Sequence, residues 1–276
     1  MNISAQEVNK LRQQTGAGMM DCKKALIEAE GNFDQAIELL RKKGQKVSAS
    51  RADRVASEGA ILATTNGSKG VILELNCETD FVAKNSDFLG YGEALLQAAT
   101  AHNPANTEEL LGLEHNGLKL SDMMLDTVGK IGEKIEIGTY QTLESEKVIT
   151  YIHPGARLGV MVGFSGTDGV AIDAIGKDIA MQIAAMSPLA VDQDGIDATI
   201  VQKEIEIGKE QARQEGKPEA MLEKIAMGKL NKFYKENTLL NQDFVKDASK
   251  TVAQFLKETN PNLKITGFRR VQLGSR

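Results

Sequence analysis

Two stretches far apart in the chain, Gly70-Val71-Ile72-Leu73 and Gly159-Val160-Met161-Val162, carry the same pattern. Each is a short apolar run opened by glycine, the signature of a buried strand. Each follows an earlier strand-like segment: Gly59 to Thr65 ahead of the turn Asn66-Gly67-Ser68, and Thr150 to His153 ahead of Pro154-Gly155. Each precedes a helical pattern that proline halts, at Asn103-Pro104 and at Ser187-Pro188. A duplicated strand–strand–helix module predicts two related α+β cores, each a small antiparallel sheet backed by a helix. A chain of 276 residues, 41% of them hydrophobic, can fill two such cores.

The copies differ at the corner after the central strand. The second has Gly166-Thr167-Asp168-Gly169, a plain turn, while the first has Asn76-Cys77-Glu78-Thr79-Asp80-Phe81-Val82-Ala83-Lys84-Asn85. Thr79-Asp80 can open a helical turn there. Phe81 then stands among polar residues in a chain that is only 4% aromatic. Taken alone, the pattern fits either a core aromatic folded back onto the sheet edge or an outward probe on a rigid scaffold. The second copy closes without an aromatic, which favours the probe.

The rest of the chain arranges itself around these modules. Ser4-Ala5-Gln6-Glu7 is a capping box that opens a first helix reaching Gln14. Met19 to Ala29 and Phe33 to Lys43 read as two more helices, with Gly44 as the natural stop of the third. Residues 1–54 are therefore expected to be a three-helix domain plus a linker. Residues 55–140 form the first core subdomain, including short helices over Thr107 to Leu113 and Leu120 to Ile131 and a strand over Lys134 to Leu143. The second core subdomain takes 141–186 and 229–276, with a helical stretch over Leu239 to Leu256 and a returning strand over Ile265 to Leu273. Between its two parts lies an inserted antiparallel helical hairpin, residues 187–228. Its arms, Ile196 to Glu215 and Pro218 to Glu236, would pair Ile200, Ile205 and Ala212 with Leu222, Ile225 and Ala226. A homodimer through this arm is an open alternative.

Composition narrows the chemistry. A net charge of −5 and a pI near 5.4 argue against direct nucleic-acid binding through a large basic face. No apolar run reaches the roughly 18 residues of a membrane span, and the N-terminus lacks a leader-like pattern, so a cytoplasmic location is expected. Cys22 and Cys77 read as buried thiols of a reducing compartment. His102, His115 and His153 are scattered, no Cys/His cluster has metal-ligand spacing, and no G-x-x-x-x-G-K-[ST] run exists. Asp192-Gln193-Asp194-Gly195 is a surface turn, too short for a Ca²⁺ loop. The expectation is a protein without catalytic residues, metal or cofactor of its own.

Leu11-Arg12 and the run Thr15-Gly16-Ala17-Gly18-Met19-Met20-Asp21-Cys22-Lys23-Lys24-Ala25-Leu26 resemble the N-terminal signature of the bacterial elongation factor Ts family. The corner Asn76 to Asn85 resembles its second signature; His153-Pro154-Gly155-Ala156-Arg157-Leu158-Gly159-Val160 and Thr266-Gly267-Phe268 also fit. The resemblance covers residue 1 to about residue 272. It implies a ubiquitin-associated-like fold for the three-helix domain. It also implies a translation elongation factor that acts as guanine nucleotide exchange factor on elongation factor Tu, binding its GDP-bound and nucleotide-free forms. In the family the segment matching Thr79, Asp80, Phe81 and Val82 enters the partner's G domain and displaces the Mg²⁺ that holds GDP. Leu11, Met19, Met20 and His153 are implied as further contacts. The rival reading is a ubiquitin-associated-like protein-binding module without exchange activity.

Overall fold

The computed structural model describes residues 3–275. The N-terminal bundle consists of α1 (Ala5–Thr15), α2 (Met19–Glu28) and α3 (Phe33–Ser50). The capping box forms as expected: Ser4 Oγ accepts from the Glu7 amide at 3.2 Å while the Ser4 amide donates to Glu7 Oε2 at 2.8 Å. Val8, Leu11, Cys22, Leu26 and Ala36 fill a thin core.

Gly44 does not stop the third helix. It is buried within α3, which runs on to Ser50 and ends at Arg51. The reason is a close helix crossing. A Cβ on Gly44 would lie 2.4 Å from the carbonyl oxygen of Leu125, and 3.8 Å from the Cα of Gly129. Glycine here admits another backbone, a role that sequence pattern cannot distinguish from a terminus.

The first sheet unit has β1 (Glu58–Thr65), β2 (Lys69–Cys77), α4 (Ser86–His102), α5 (Thr107–Gly112) and the two-residue strands β3 (Glu114–His115) and β4 (Leu118–Lys119). It continues through α6 (Leu120–Ile131) and β5 (Glu136–Glu144). Its antiparallel order is β1-β2-β5. Leu73, Leu75, Phe88, Leu95 and Leu110 are fully buried between sheet and helices. The second unit has β6 (Lys147–Ile152), β7 (Leu158–Ser165) and α7 (Ile172–Met186), with its third strand from the far end of the chain.

Two long helices follow, α8 (Ala198–Gln214) and α9 (Glu219–Asn237), packed as an antiparallel pair. Ala212, Leu222 and Ala226 sit in their seam as expected; Gly208 and Leu230 complete it, while Ile200 is exposed. α9 runs unbroken across residues 228 and 229. The expected helix over Leu239 to Leu256 is replaced by a 3-10 turn at Leu239–Asn241, β8 (Asp243–Phe244), β9 (Asp247–Thr251) and α10 (Val252–Thr259). Thr251 and Gln254 form a capping box that starts α10 late, and Phe244 stacks on Phe255 at 4.3 Å, so the apolar residues meet through a hairpin.

β10 (Lys264–Gln272) then returns to pair with β7, giving the order β10-β7-β6. Both sheets therefore have one topology: a hairpin, then a third strand beside the second, with the two matched sequence runs as central strands. Their other faces meet through Ile61, Ile72, Val148, Met161 and Val271. Glu74 is buried at this junction, accepting from Asn76, Thr139 and the Gly274 amide. Among the described residues, no helix is long and apolar enough to cross a membrane.

Gly44 and Gly90 supply a matched test of the crossing. Both are helical, but a Cβ on Gly90 would meet nothing within 4 Å. Gly90→Ala should stabilise by up to about 1 kcal/mol through helix propensity. Gly44→Ala should instead destabilise by about 1–3 kcal/mol through the backbone clash, measured by urea unfolding.

Candidate functional site

Strand β2 ends at Cys77 and α4 begins at Ser86, capped by Asn85 Oδ1, which accepts from the Asp87 amide at 2.8 Å. The chain between them makes one 3-10 turn, Val82–Lys84. Thr79 opens that turn as the sequence suggests: its carbonyl accepts from Ala83 at 3.2 Å and its hydroxyl from the Val82 amide at 3.4 Å.

The base of the loop is pinned by two carboxylates. Gly132, at φ 80°, ends α6 and turns the next residue, Glu133, toward the corner. Glu133 Oε2 accepts from the amides of Glu78 (3.1 Å) and Thr79 (3.0 Å), and Oε1 accepts from the Thr79 hydroxyl at 2.8 Å. Such charge-assisted bonds are stronger than neutral ones. Glu78 in turn accepts from the Lys134 amide at 2.8 Å, and both its oxygens contact Arg51 Nη1, at 3.0 and 2.9 Å. The Lys134 amide first, and then Arg51, hold the Glu78 carboxyl below the usual glutamate range against partial burial. Beneath the loop, Cys77 Sγ donates to the Thr79 carbonyl at 3.1 Å. Burial and the nearby Glu133 charge push this thiol up to about 12, so it remains a neutral donor.

The loop thus has an inner and an outer side. Val82 is buried, whereas Phe81 is 82% exposed. Asp80 is exposed beside it and meets Lys84 at 3.1 Å, a surface pair of the weak kind. The sequence left two fates open for Phe81, and the structure points it outward.

The second copy sharpens that result. At its corner the Glu146 carboxylate accepts from the Gly166 amide (2.8 Å), the Thr167 amide (2.9 Å) and the Thr167 hydroxyl. This is the Glu133 clamp again, two consecutive amides and a threonine hydroxyl. Thr79-Asp80-Phe81 corresponds to Thr167-Asp168-Gly169, so clamp and aspartate recur and only the aromatic is added.

Of the other expected contacts, Met19 and Met20 are 54% and 62% exposed on the first turn of α2. Leu11 is fully buried in the bundle core, so its side chain offers a partner no surface. His153 is exposed in the β6–β7 turn, its Nδ1 2.9 Å from the Tyr151 hydroxyl. Sequence reasoning missed Glu133 and Arg51. Each reaches the corner from a distant part of the chain, and only Gly132, as a helix stop just before Glu133, hinted at either. Among the described residues, no group of three or more His, Cys, Asp or Glu side chains could hold a metal ion.

A braced loop that holds a large aromatic in water, joined to a bundle with exposed methionines, is suited to engaging another protein. Comparison with known proteins gives this build a family. The family model described as elongation factor TS matches residues 78–275. The elongation factor Ts of Amoebophilus asiaticus is 53% identical over 277 residues, covering 100% of both chains. That of Cytophaga hutchinsonii is 53% identical over 274 residues, covering 98% of this chain and 99% of its own. That of Porphyromonas gingivalis is 44% identical over 277 residues and spans both chains completely. The chain belongs to the elongation factor Ts family and is a translation elongation factor.

Two measurements probe the clamp. Glu133→Ala should accelerate amide hydrogen exchange at Glu78 and Thr79 by about 10- to 150-fold, the loss of a charged hydrogen bond worth roughly 1.5–3 kcal/mol. Glu78 makes a pH prediction, because a depressed folded-state pKa adds stability above the unfolded value and loses it as pH falls through the folded one. The stability gap between wild type and Glu78→Gln should therefore be constant well above the ordinary glutamate value of about 4.3 and close as the pH falls below it.

Proposed function

We propose that this protein is a guanine nucleotide exchange factor for elongation factor Tu, and that the Thr79–Val82 segment is its working part. It binds the GDP-bound partner, inserts Asp80 and Phe81 into the G domain, and displaces the Mg²⁺ that holds the nucleotide. Met19 and Met20 on the bundle and His153 on the second sheet unit dock on the same partner. Leu11 holds the bundle together beneath them.

The observation that carries this reading is the 82% exposure of Phe81 on a loop whose base is fixed by Glu133 and Glu78. Exchange requires no covalent chemistry, only tighter binding to the nucleotide-free partner than to the GDP-bound one. A preference of about 10⁴-fold corresponds to roughly 5.5 kcal/mol. Burying one Phe supplies about 2–3 kcal/mol of this. Loss of Mg²⁺ supplies more, because it removes the largest local charge on the diphosphate. Asp80 brings a negative charge to the same place, which further disfavours a bound diphosphate.

The test is release of a fluorescent GDP from preloaded elongation factor Tu, followed by stopped flow. Wild type should accelerate release, and Phe81→Ala should lose about 30- to 150-fold of that acceleration, the rate equivalent of one buried Phe. No acceleration by wild type would overturn the proposal and leave the bundle as a binding module alone. A fully active Phe81→Ala would overturn the site.

A further inference from the structure

The continuation of α3 beyond Gly44 has a consequence at the loop. It brings Arg51, the residue that ends the helix, onto both carboxylate oxygens of Glu78, three residues before Phe81. A second link lies alongside, where Lys134 Nζ donates to the Arg54 carbonyl at 3.2 Å. Lys134 is also the residue whose amide holds Glu78. The backbone of Glu78 is fixed from the other side by Glu133. Meanwhile α3 packs along α2, which carries the exposed Met19 and Met20. An unbroken path of bonded and packed groups therefore runs from the methionine surface through α2 and α3, across Arg51, into Glu78 and so to the loop.

We infer that the Arg51–Glu78 pair is a strut that couples seating of the bundle on the partner to insertion of the Asp80-Phe81 loop, with Arg51 and Glu78 as positioning residues. This rests on the exchange reading above. Neither side chain needs to touch the partner for the strut to work. The carboxylate is held from more than one side. One guanidinium nitrogen is shared between two oxygens, and the carboxylate is also tied to the Lys134 amide and partly buried. The helix that bears Arg51 is set against α6 by the Gly44 crossing, and α6 leads directly into Gly132 and Glu133. Bundle, strut and clamp thus converge on the same two loop residues, Glu78 and Thr79.

A strut and a merely structural ion pair differ in what their removal changes. A partly exposed ion pair contributes little to stability, so its loss should leave the fold intact. A strut should act on the step in which the loop enters. In the GDP-release assay with increasing factor concentration, Arg51→Met should lower the maximal release rate about tenfold. The half-saturating concentration should change less than twofold, and the thermal midpoint should stay close to wild type. Glu78→Gln, which keeps an acceptor for the Lys134 amide, should show the same split between maximal rate and half-saturating concentration, alongside the small stability loss of a partly exposed carboxylate. Arg51→Lys, which restores a cation, should recover part of the maximal rate. Met20→Ala, in contrast, should raise the half-saturating concentration. The inference is overturned if both Arg51→Met and Glu78→Gln keep the wild-type maximal rate, or if only their half-saturating concentration moves. Failure of the wild type itself to accelerate release would overturn the exchange reading instead.

Discussion

One carboxylate, accepting two amides and a hydroxyl, fastens the corner on which the candidate site stands. Glu133 holds Glu78 and Thr79 from the far side of the corner, and that hold lets Phe81 stand in water. Val82, the next residue, is buried beneath the loop, so the turn divides its two apolar side chains between core and water. Burial of a Phe is favoured by about 2–3 kcal/mol, and charge-assisted bonds of roughly 1.5–3 kcal/mol apiece can oppose it. The loop is rigid at its base and apolar at its tip, which lowers the ordering cost of insertion into another surface.

A glutamate also fastens the corresponding corner of the second sheet unit, although Glu146 comes from the turn before β6 whereas Glu133 comes from the segment before β5. In each sheet unit a glutamate fastens the corner after the central strand. The architecture is satisfied in both copies. In one the corner continues with Gly169, a residue with no side chain; in the other, Phe81 stands at that place. The two sheets then share a core through Ile72, Met161 and Val271, and the chain end is latched by Glu74 onto the Gly274 amide.

Much of this was legible in the sequence for a physical reason: strands, hairpin turns and proline stops are written locally. The repeated Gly-Val runs identified the central strands of both sheets, and the absence of an aromatic in the second copy identified Phe81 as an addition. The failures share a cause as well. Gly44 reads as a helix end in sequence because glycine at a terminus and glycine at a helix crossing look alike until the partner helix, α6, is in place. The hairpin before α10 was hidden because the run from Leu239 to Leu256 has apolar spacings that also suit a helix. Leu11 stood within a signature motif, yet its side chain serves the bundle core. Glu133 and Arg51 could not be found by spacing at all, since folding alone brings them to Glu78.

On the proposed exchange function, the braced aromatic discriminates between two states of the partner. Its most direct test is the dissociation constant of this protein for elongation factor Tu, measured with the partner nucleotide-free and again with GDP and Mg²⁺ bound. A preference for the nucleotide-free form on the order of 10⁴-fold is expected, mirrored by an equal weakening of GDP affinity when the factor is present. Equal dissociation constants for the two forms would contradict it.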